Sequence, residues 1–560
     1  MGITVRAYSN GDHAAVAWLP DGAAAIDDCR GFAVKRTRGG QDAFLHSFIG
    51  FADGDPFPKD DPWKWPLQRY LWWDYAVKPG DEVSYQVIPV TGTAASLTLR
   101  TELASDPTPA MTISSQFTPH IAAYFNRGVV AAQWVSRDLD TEAAGQPRQT
   151  ALLDLIAKPG DPLRDALGAQ LKTAVLGLLG ALSADGSLYA ALYELNDPEL
   201  LAELEQIGTR ANVVLGNGAF KPPDTDENAA VREQLKDHSQ VHVSDRIVSS
   251  GHFAHNKFLV CCDGTGAAQR VLSGSTNWTM TGLCTQANNG IVIDDAAVAD
   301  RFLTQWKRLQ AAGNGYPPDL ITANSLPQQF TVDGITVTPW FAPTGDEQDL
   351  DYARALIAGA KHAALFLFFN PGVYRAEPEK KTLLQNVLER RGDDLYMRGV
   401  VNQEINQLTE NPVTLIGADG ATPLSTAVLV PANIAQRFHA WEDELRGASQ
   451  VMVHSKVIVL DPFGEHPVVM TGSHNLGVKA SSKNDDNLVI LEGPAAAALA
   501  IAYAVNIIAI YFAYRWNSYV AAHAADANVW HGLQDTADWQ AGHLEGQALE
   551  ELKFWTQSAA

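Results

Sequence analysis

The chain has 560 residues, of which 46% are hydrophobic and 19% are charged. This composition is typical of a folded protein, and at about 150 residues per domain the length allows three or four domains. The formal net charge of −23 argues against general electrostatic attraction to duplex nucleic acid, because such attraction comes from surface cations. The 4 cysteines include no Cys-x-x-Cys pair and do not make a disulfide framework.

The first residues lack a basic segment followed by an apolar run, so the sequence predicts no secretory signal and a cytoplasmic location by default. Export by a non-standard route stays open. Residues 495–514 carry no charge over a length able to cross a bilayer. They are rich in alanine, contain Asn506 and follow a predicted core strand, which favours a buried helix of an α/β domain over a transmembrane segment.

Residues 1–112 are predicted to form an antiparallel β-sandwich, because short apolar segments alternate with turn formers such as Asn10-Gly11. The run 75–87 resembles the late strands of a fibronectin type III domain. A Pro-containing linker at 105–109 ends this domain. The predicted strands are 3–8, 13–19, 30–37, 71–77, 82–89 and 95–103.

Beyond residue 112, strands alternate with helices, which predicts parallel-type sheets covered by helices. The order of elements occurs in 113–325 and again in 326–527, so we predict two α/β domains. Residues 528–560 contain Trp530, Trp539 and Trp555 and are predicted to dock on these domains as a helix-containing tail. The first block has predicted strands 188–195, 212–215, 255–262, 270–272 and 290–293 and helices 164–183 and 296–311. The second has strands 335–340, 363–369, 454–460, 468–471 and 487–491 and helices at 349–360 and from 494.

One sequence pattern occurs in both blocks. Each copy has a His-x-Lys run, an Asp a few residues later and a Gly-Ser-x-Asn run, and the interval from His to Asn agrees to within one residue. The residues are His255, Lys257, Asp263, Ser275 and Asn277 in the first copy and His454, Lys456, Asp461, Ser473 and Asn475 in the second. Such an internal repeat predicts two copies of one fold, each contributing half of a site.

The repeated residue types suit a phosphodiester. Side chains two apart on a strand share a face, and burying a His and a Lys there costs desolvation unless they face polar groups. Two histidines, two lysines and two asparagines around one point would offer cations and hydrogen-bond donors to a phosphate diester. One histidine can attack phosphorus while the other protonates the leaving oxygen.

These paired motifs resemble the phospholipase D superfamily over roughly residues 115–530. The resemblance implies two pseudo-twofold-related α/β halves, one shared active site, a covalent phosphohistidine, and no metal or other cofactor. It implies catalytic roles for His255, Lys257, Asn277, His454, Lys456 and Asn475, with Ser275 and Ser473 as supporting hydroxyls. Asp263 and Asp461 match a structural Asp, although five residues instead of four separate Lys257 from Asp263.

In this family a carboxylate orients each histidine. The eleventh residue after the motif Asn is Asn288 in the first copy and Asp486 in the second. We expect each to orient the histidine of its own copy. A carboxylate raises an imidazole pKa more than an amide does, so this pairing predicts that His454 is the protonated general acid and His255 the nucleophile. The resemblance agrees, since the first histidine is usually the nucleophile.

Other residues near the motifs receive no chemical role. His252 lies three residues before His255 and would point to the opposite strand face, so we predict no metal site there. Two roles, lining the pocket and packing in the core, stay equally open for His120, Tyr124, Trp278, Phe369 and His474.

Three functions are compatible with this sequence. The leading hypothesis is a phosphodiesterase that hydrolyses the head-group ester of phospholipids, with head-group exchange when an alcohol intercepts the intermediate. It predicts transient contact with a membrane surface and a monomer, because both half-sites lie in one chain. A nuclease acting on DNA or RNA would use the same chemistry, but the acidic charge balance disfavours it. The third hypothesis is an inactive scaffold that only binds phosphate.

Overall fold

The computed structural model describes residues 2–47, 49–52, 56–128, 148–219, 225–372, 375, 377, 380–390, 395–402, 415–416, 426–429, 452–523 and 532–557. These residues form two compact units. The first is built from the described parts of Met1–Ser115 and Tyr519–Ala560, and the second from those of Gln116–Ala421 and Thr426–Ser518.

The first unit is β-rich, as predicted. Its strands are β1 (Ile3–Ser9), β2 (Ala14–Pro20), β3 (Cys29–Arg38), β4 (Gln41–Phe44), β5 (Leu71–Asp74), β6 (Glu82–Thr93), β7 (Ser96–Leu99) and β8 (Met111–Thr112). One sheet has the order β1-β2-β5 and the other β4-β3-β6-β7, with β8 paired to β6. Trp18 of one sheet and Phe32 and Tyr85 of the other belong to one buried apolar cluster. The two sheets therefore form a sandwich, while its fibronectin type III identity stays a prediction.

The C-terminal tail packs in this first unit, which corrects the expectation that it docks on the α/β domains. Trp539 is 6% exposed, stacks on Tyr70 and donates from its indole N–H to the carbonyl of Cys29 at 3.0 Å. The hydroxyl of Tyr8 donates to the carbonyl of Trp555 at 3.0 Å. The reason is that the tail's indoles cover apolar surface that so small a sandwich leaves open. The tail has a 3-10 helix (Asp538–His543) and a helix (Gly546–Thr556). Trp530 lies outside the described residues.

Replacing Trp539 with alanine should lower the free energy of unfolding by about 3–5 kcal/mol, because a buried aromatic ring and its hydrogen bond are lost. Urea unfolding followed by circular dichroism measures this change. Lys553→Ala, on the exposed face of the same tail, should change stability by less than about 0.5 kcal/mol. Equal effects of the two substitutions would contradict the packing described for the tail.

The second unit contains two mixed sheets. The strands up to residue 293 are β9 (Gln116–Thr118), β10 (Ile121–Phe125), β11 (Ser187–Leu192), β12 (Ala211–Gly216), β13 (His242–Arg246), β14 (Lys257–Cys262), β15 (Ala268–Gly274), β16 (Gln286–Ala287) and β17 (Asn289–Ile293). The later strands are β18 (Phe330–Val332), β19 (Ile335–Phe341), β20 (Ala363–Phe368), β21 (Tyr396–Val401), β22 (Leu415–Ile416), β23 (Thr426–Leu429), β24 (Met452–Val453), β25 (Val457–Leu460), β26 (Val468–Gly472) and β27 (Asn487–Glu492).

The two sheets share a central pattern of six strands. The first sheet contains the order β12-β11-β14-β15-β17-β10 and the second β21-β20-β25-β26-β27-β19. In both, the first pair is parallel and the following four pairs are antiparallel. The expectation of parallel-type sheets is therefore wrong for most strands. The motif strand reaches its neighbour through a short hairpin, which reverses chain direction, whereas only a helical crossover produces a parallel pair.

Helices cover these sheets, and several begin at an Asp that caps the free backbone N–H groups of the first turn. Asp197 accepts from the N–H groups of Glu199 and Leu200 at the start of Pro198–Ile207. Asp295 caps Ala296–Ala312 in the same way. The helices are Arg148–Ile156, Pro162–Gly180, Pro198–Ile207, Ala229–His238, Met280–Cys284, Ala296–Ala312, Pro318–Asn324, Gln348–Gly359, Leu383–Glu389, Val478–Lys483 and Ala497–His523.

The apolar stretch near residue 500 forms part of the last of these helices. Pro494–Arg515 is long and apolar enough to cross a membrane, with a mean hydropathy of 2.1, but 72% of it is buried inside the protein. The hydroxyl of Tyr503 accepts a hydrogen bond from the side chain of Asn289 at 3.0 Å. This burial fits the predicted core helix.

Candidate active site

The ends of the two motif strands meet at a seam between the two sheets. β16 pairs in parallel with β24, so that Ala287 lies opposite Val453. The backbone N–H of His454 donates to the carbonyl of Ala287 at 3.0 Å, and that of His255 donates to the carbonyl of Asp485 at 2.8 Å. Each histidine lies just before its motif strand, in the seam itself, instead of inside the strand as expected. The structure thus brings the two histidines together, as the repeat predicted.

Each histidine is oriented by a residue from the other sheet. Nδ1 of His255 lies 2.7 Å from Oδ1 of Asp486, and Nδ1 of His454 lies 3.0 Å from Oδ1 of Asn288. The sequence found the two orienting residues but paired each with the wrong histidine. The premise that Asp486 raises the pKa of His454 is therefore wrong, and the argument for a protonated His454 that rested on it no longer holds.

The crossed pairing has a simple geometric cause. A serine of the same copy holds each orienting side chain, with Ser473 donating to Asp486 at 2.8 Å and Ser275 donating to Asn288 at 2.7 Å. The seam then places the histidine of the other copy against the remaining face of that side chain. The amide N of Asn288 donates to the carbonyl of Gly282 at 2.8 Å, which fixes its oxygen toward the imidazole. Nδ1–H of His454 is then the donor, and Nε2 is left for chemistry.

The two lysines occupy equivalent positions. Each Nζ donates to the backbone carbonyl of its own motif histidine. Nζ of Lys257 lies 4.8 Å from the centre of the Tyr193 ring, and Nζ of Lys456 lies 4.8 Å from that of Phe369. The same two rings contact the edges of His255 and His454, at centroid distances of 4.7 Å in both cases. An aromatic side wall thus backs each His-Lys pair.

The motif asparagines and one unpredicted carboxylate complete the site. The amide of Asn277 donates to Oε2 of Glu194 at 2.6 Å. Among the described residues, Oδ1 of Asn277 and Oδ1 of Asn475 are buried without a hydrogen-bond donor. Buried acceptors are usually satisfied in native proteins, so each of these two oxygens can accept from a bound water or substrate group.

Burial dominates the electrostatics of this site. It lowers the pKa of His255 to about 4, helped by Lys257 and opposed by Asp486. The pKa of His454 is lowered well below its usual value by burial and then by the charges of Lys456, Lys257 and His255. Burial also lowers the pKa of Lys257 to about 7 and that of Lys456 well below its usual range. The site is thus short of negative charge, and a bound anion would raise all four pKa values.

Residues 182–310 match the protein family described as "Cardiolipin synthase, PLD-like domain". The chain contains a phospholipase D-like domain. The matched range includes the first motif, with His255, Lys257 and Asn277, and ends before the second. No curated protein matches this chain significantly.

Several solved structures are similar to this chain. Phosphatidylserine synthase of Haemophilus influenzae Rd KW20 is 11% identical, with 61% of this chain and 84% of that chain covered and a TM-score of 0.41. Polyphosphate kinase of Porphyromonas gingivalis is 11% identical over 58% of this chain and 46% of that chain, with a TM-score of 0.37. Nuc of Salmonella typhimurium, a phospholipase D family member, is 18% identical over 33% of this chain and 95% of that chain, with a TM-score of 0.19.

The motif aspartates lie at the far ends of their strands. In the phospholipase D-like domain, Asp263 accepts hydrogen bonds from the backbone N–H groups of Thr265 and Ala267 in the hairpin after β14. Asp461 accepts from the N–H groups of three consecutive residues that begin at Lys361. Both aspartates therefore stabilise turns, as the resemblance implied, and the extra residue before Asp263 is accommodated in the hairpin.

The three other histidines considered in the sequence bond to groups other than the motif side chains. His474 is buried with Nε2 at 3.0 Å from Asp349. His252 has Nδ1 at 2.6 Å from the carbonyl of Lys483 and stacks on Tyr316. His120 is half-exposed and bonded to Asp333. Each of these histidines already has a structural partner.

The other two residues left open in the sequence have packing contacts. Trp278 is 3% exposed in the core of the phospholipase D-like domain, and Tyr124 packs against the same cluster. Within the described residues, no group of three or more His, Cys, Asp or Glu side chains is placed to hold a metal ion.

Sequence reasoning missed three features of this site. Tyr193 follows β11 as Phe369 follows β20, so aligning the two blocks would have revealed it as the second aromatic wall. Glu194, the next residue, has no carboxylate counterpart in the second block, where Asn370 stands. The buried ion pair of Arg246 and Asp485, with Nε 2.7 Å from Oδ2, anchors the backbone that binds His255 and had no sequence signal.

Proposed function

We propose that this protein is a phosphodiesterase that cleaves the head-group ester of phospholipids through a covalent phosphohistidine on His255. The main support is one arrangement. Two histidines are oriented by hydrogen bonds at Nδ1, and two buried lysines lie beside them at a seam between the sheets. Such a site supplies a nucleophile, an acid and, once the bound anion has raised the pKa values of the lysines, positive charge for a phosphodiester.

The first step of the proposed reaction forms a P–N bond. Nε2 of His255 attacks phosphorus, the bond from phosphorus to the head-group oxygen breaks, and Nε2–H of His454 gives its proton to the departing oxygen. The bound diester is an anion next to His454, and its charge raises the pKa of that imidazole, so that His454 can hold the proton. Lys257 and Lys456 stabilise the charge that builds up on the other phosphate oxygens.

The second step reverses the roles. A water molecule gives a proton to Nε2 of His454 and attacks phosphorus, and the P–N bond to His255 breaks. The products are phosphatidic acid and a neutral His255. An alcohol that takes the place of water gives a new phosphodiester, so the same intermediate supports head-group exchange.

The crossed pairing supports His255 as the nucleophile for a reason that replaces the earlier pKa argument. Attack through Nε2 leaves the ring cationic for the lifetime of the intermediate, and the adjacent carboxylate of Asp486 stabilises that charge. His454, in contrast, must release its proton readily. Its neutral partner, the amide of Asn288, does not hold the proton as a carboxylate would.

The matching strand order of the two sheets supports two pseudo-twofold-related phospholipase D-like halves, with boundaries near residues 113–325 and 326–527. We further propose that the protein works as a monomer, because both half-sites lie in one chain. We also propose that it contacts membranes transiently. The charge of −23 favours a lipid over a nucleic acid, since the latter needs surface cations along its backbone. The name of the matched family also refers to a lipid enzyme.

A substrate panel tests this proposal. Purified protein and its His255→Ala variant are incubated with mixed phospholipid vesicles and, separately, with plasmid DNA and RNA. The expected result is phosphatidic acid from the vesicles with the unmodified protein alone. Cleavage of nucleic acid without lipid turnover would establish the nuclease alternative instead. Phosphate binding without turnover of any diester would establish the inactive scaffold.

A further inference from the structure

The two halves of the site differ at one position next to the lysines. Tyr193 and Phe369 are equivalent, because each follows its strand directly and contacts its own motif histidine at a centroid distance of 4.7 Å and an angle of 64°. The residue after Tyr193 is Glu194, and the residue after Phe369 is Asn370. A carboxylate therefore follows one aromatic wall in the sequence, and a neutral amide follows the other.

The local backbone holds Glu194 against Asn277. Trp278, the residue after Asn277, donates its N–H to the carbonyl of Glu194 at 3.2 Å, and Leu195 forms a bridge with Trp278. The side chains then meet, with Nδ2 of Asn277 2.6 Å from Oε2 of Glu194. The position of this carboxylate is set by hydrogen bonds on both main chain and side chain.

A second carboxylate lies behind the first. Glu227 accepts the backbone N–H of Ala219 at 2.8 Å. A Cβ on Gly218 would lie 2.8 Å from a carboxylate oxygen of Glu227 and 3.4 Å from Cγ of Glu194, so a glycine is needed where the two side chains approach. Burial and then Glu227 raise the pKa of Glu194 to about 7, while Lys257 and Lys456 oppose the shift.

An independent observation points to a ligand at this place. Asn277 is 4% exposed, yet within the described part of the chain its Oδ1 has no donor. Its amide N is engaged by Glu194, so the side chain presents an acceptor to the site. A phosphate offers no donor to that oxygen, because the oxygens of a diester anion only accept. This oxygen can therefore accept from a donor group of the substrate other than its phosphate.

We propose that Glu194 and Asn277 form an acceptor subsite for the ammonium group of the substrate head group, beside the phosphate held by Lys257 and Lys456. This subsite rests on the proposed phosphodiesterase function and adds the class of head group to it. An ionised carboxylate near the lysines would repel a diester anion, and an ammonium group close to the phosphate offsets that repulsion.

Two short-chain lipids that differ only in the head group test the subsite. Dihexanoyl phosphatidylethanolamine carries an ammonium group, and dihexanoyl phosphatidylmethanol carries no donor. The unmodified protein should prefer the ethanolamine lipid in kcat/KM by at least about tenfold, or about 1.4 kcal/mol. Glu194→Gln should abolish this preference, with the larger loss of kcat/KM falling on the ethanolamine lipid. Glu203→Gln, on the helix Pro198–Ile207, is the matched control and should keep the preference.

A stability measurement shows that the variant is folded. Because the pKa of Glu194 is raised, its ionisation destabilises the protein as the pH rises from the unfolded value near 4.5 toward 7. Glu194→Gln removes this cost, so its Tm should exceed that of the unmodified protein at pH 8 and equal it at pH 4. A variant with a lower Tm at both values would show that the carboxylate has a structural role only, which overturns the subsite.

Each kinetic outcome decides one of the two proposals. Loss of turnover of both lipids to the same extent in Glu194→Gln would contradict the subsite and leave the phosphodiesterase intact. The absence of a preference in the unmodified protein would contradict it equally. No turnover of either lipid by the unmodified protein would overturn the proposed function itself, and with it the subsite.

Discussion

Replacing His255 with alanine should lower kcat/KM for a phosphodiester by about 10⁴-fold or more, because the chain loses the atom that forms the covalent bond. The surroundings should survive the change. Asp486 loses the imidazole, but its carboxylate keeps hydrogen bonds from Ser473 at 2.8 Å and from Asn484 at 3.3 Å. Steady-state kinetics with bis(4-nitrophenyl) phosphate, a soluble chromogenic diester, measures the loss.

His252→Ala is the control for this substitution. His252 lies three residues away and bonds to the carbonyl of Lys483, so its loss should leave kcat/KM within about threefold. A His255→Ala variant that retains more than about a hundredth of the activity would contradict its role as nucleophile. Equal losses in both variants would point to general damage of this segment.

Asp486→Asn should lower kcat by about 10²–10³-fold with KM nearly unchanged. The substitution keeps the shape of the side chain and the contact with Ser473, but it removes the negative charge that stabilises a cationic His255. An orienting partner of this kind fixes both the tautomer and the direction of the imidazole, and its loss commonly costs one to several orders of magnitude. Single-turnover kinetics isolates the step in which the P–N bond forms.

The leaving group distinguishes the crossed pairing from pairing within each copy. 4-Nitrophenolate departs without a proton, whereas the alcohol of a lipid head group needs one from the general acid. If Asp486 acts on His255, Asp486→Asn should lower kcat by the same factor with a nitrophenyl ester as with a lipid. A defect that disappears with the nitrophenyl ester would mean that Asp486 serves the general acid, contrary to the geometry.

The pH dependence of kcat/KM should also change when Asp486 is replaced. The nucleophile must be unprotonated, and the pKa of His255 is about 4, so the acidic limb of the kcat/KM profile should lie below about pH 5. Asp486 raises that pKa, opposing burial and Lys257. Its removal should therefore shift the acidic limb to lower pH. A shift to higher pH would contradict the direct pairing of Asp486 with His255.

Much of this fold was predictable because its signals are local. The motif strands are short apolar runs bounded by turn formers, and the long helices begin at capping aspartates such as Asp295. The six repeated polar residues could be found because they occur twice at nearly equal spacing. Spacing along the chain also located Asn288 and Asp486.

The predictions that were wrong concern contacts between residues that are far apart in the sequence. Nothing within either copy states that Asp486 faces His255, since that contact is created when β16 pairs with β24 and the segment at Ala254 pairs with Asp485. The direction of most strand pairs was also missed, because an apolar strand has the same pattern in a parallel and an antiparallel neighbourhood. Trp539 was placed on the wrong unit for a similar reason. A tryptophan in the sequence indicates that an indole is buried but does not identify the residues that it packs against.

The most direct test of the central claim is the identity of the phosphorylated residue. His454→Ala lacks the general acid, yet it should still react with a nitrophenyl phosphodiester, whose leaving group needs no proton. It should release one equivalent of nitrophenol in a burst and then stall, because no base activates water. Mass spectrometry of the trapped protein should find the phosphoryl group on His255. A burst absent from His454→Ala, with the phosphoryl group on His454 in the His255→Ala variant, would contradict the account.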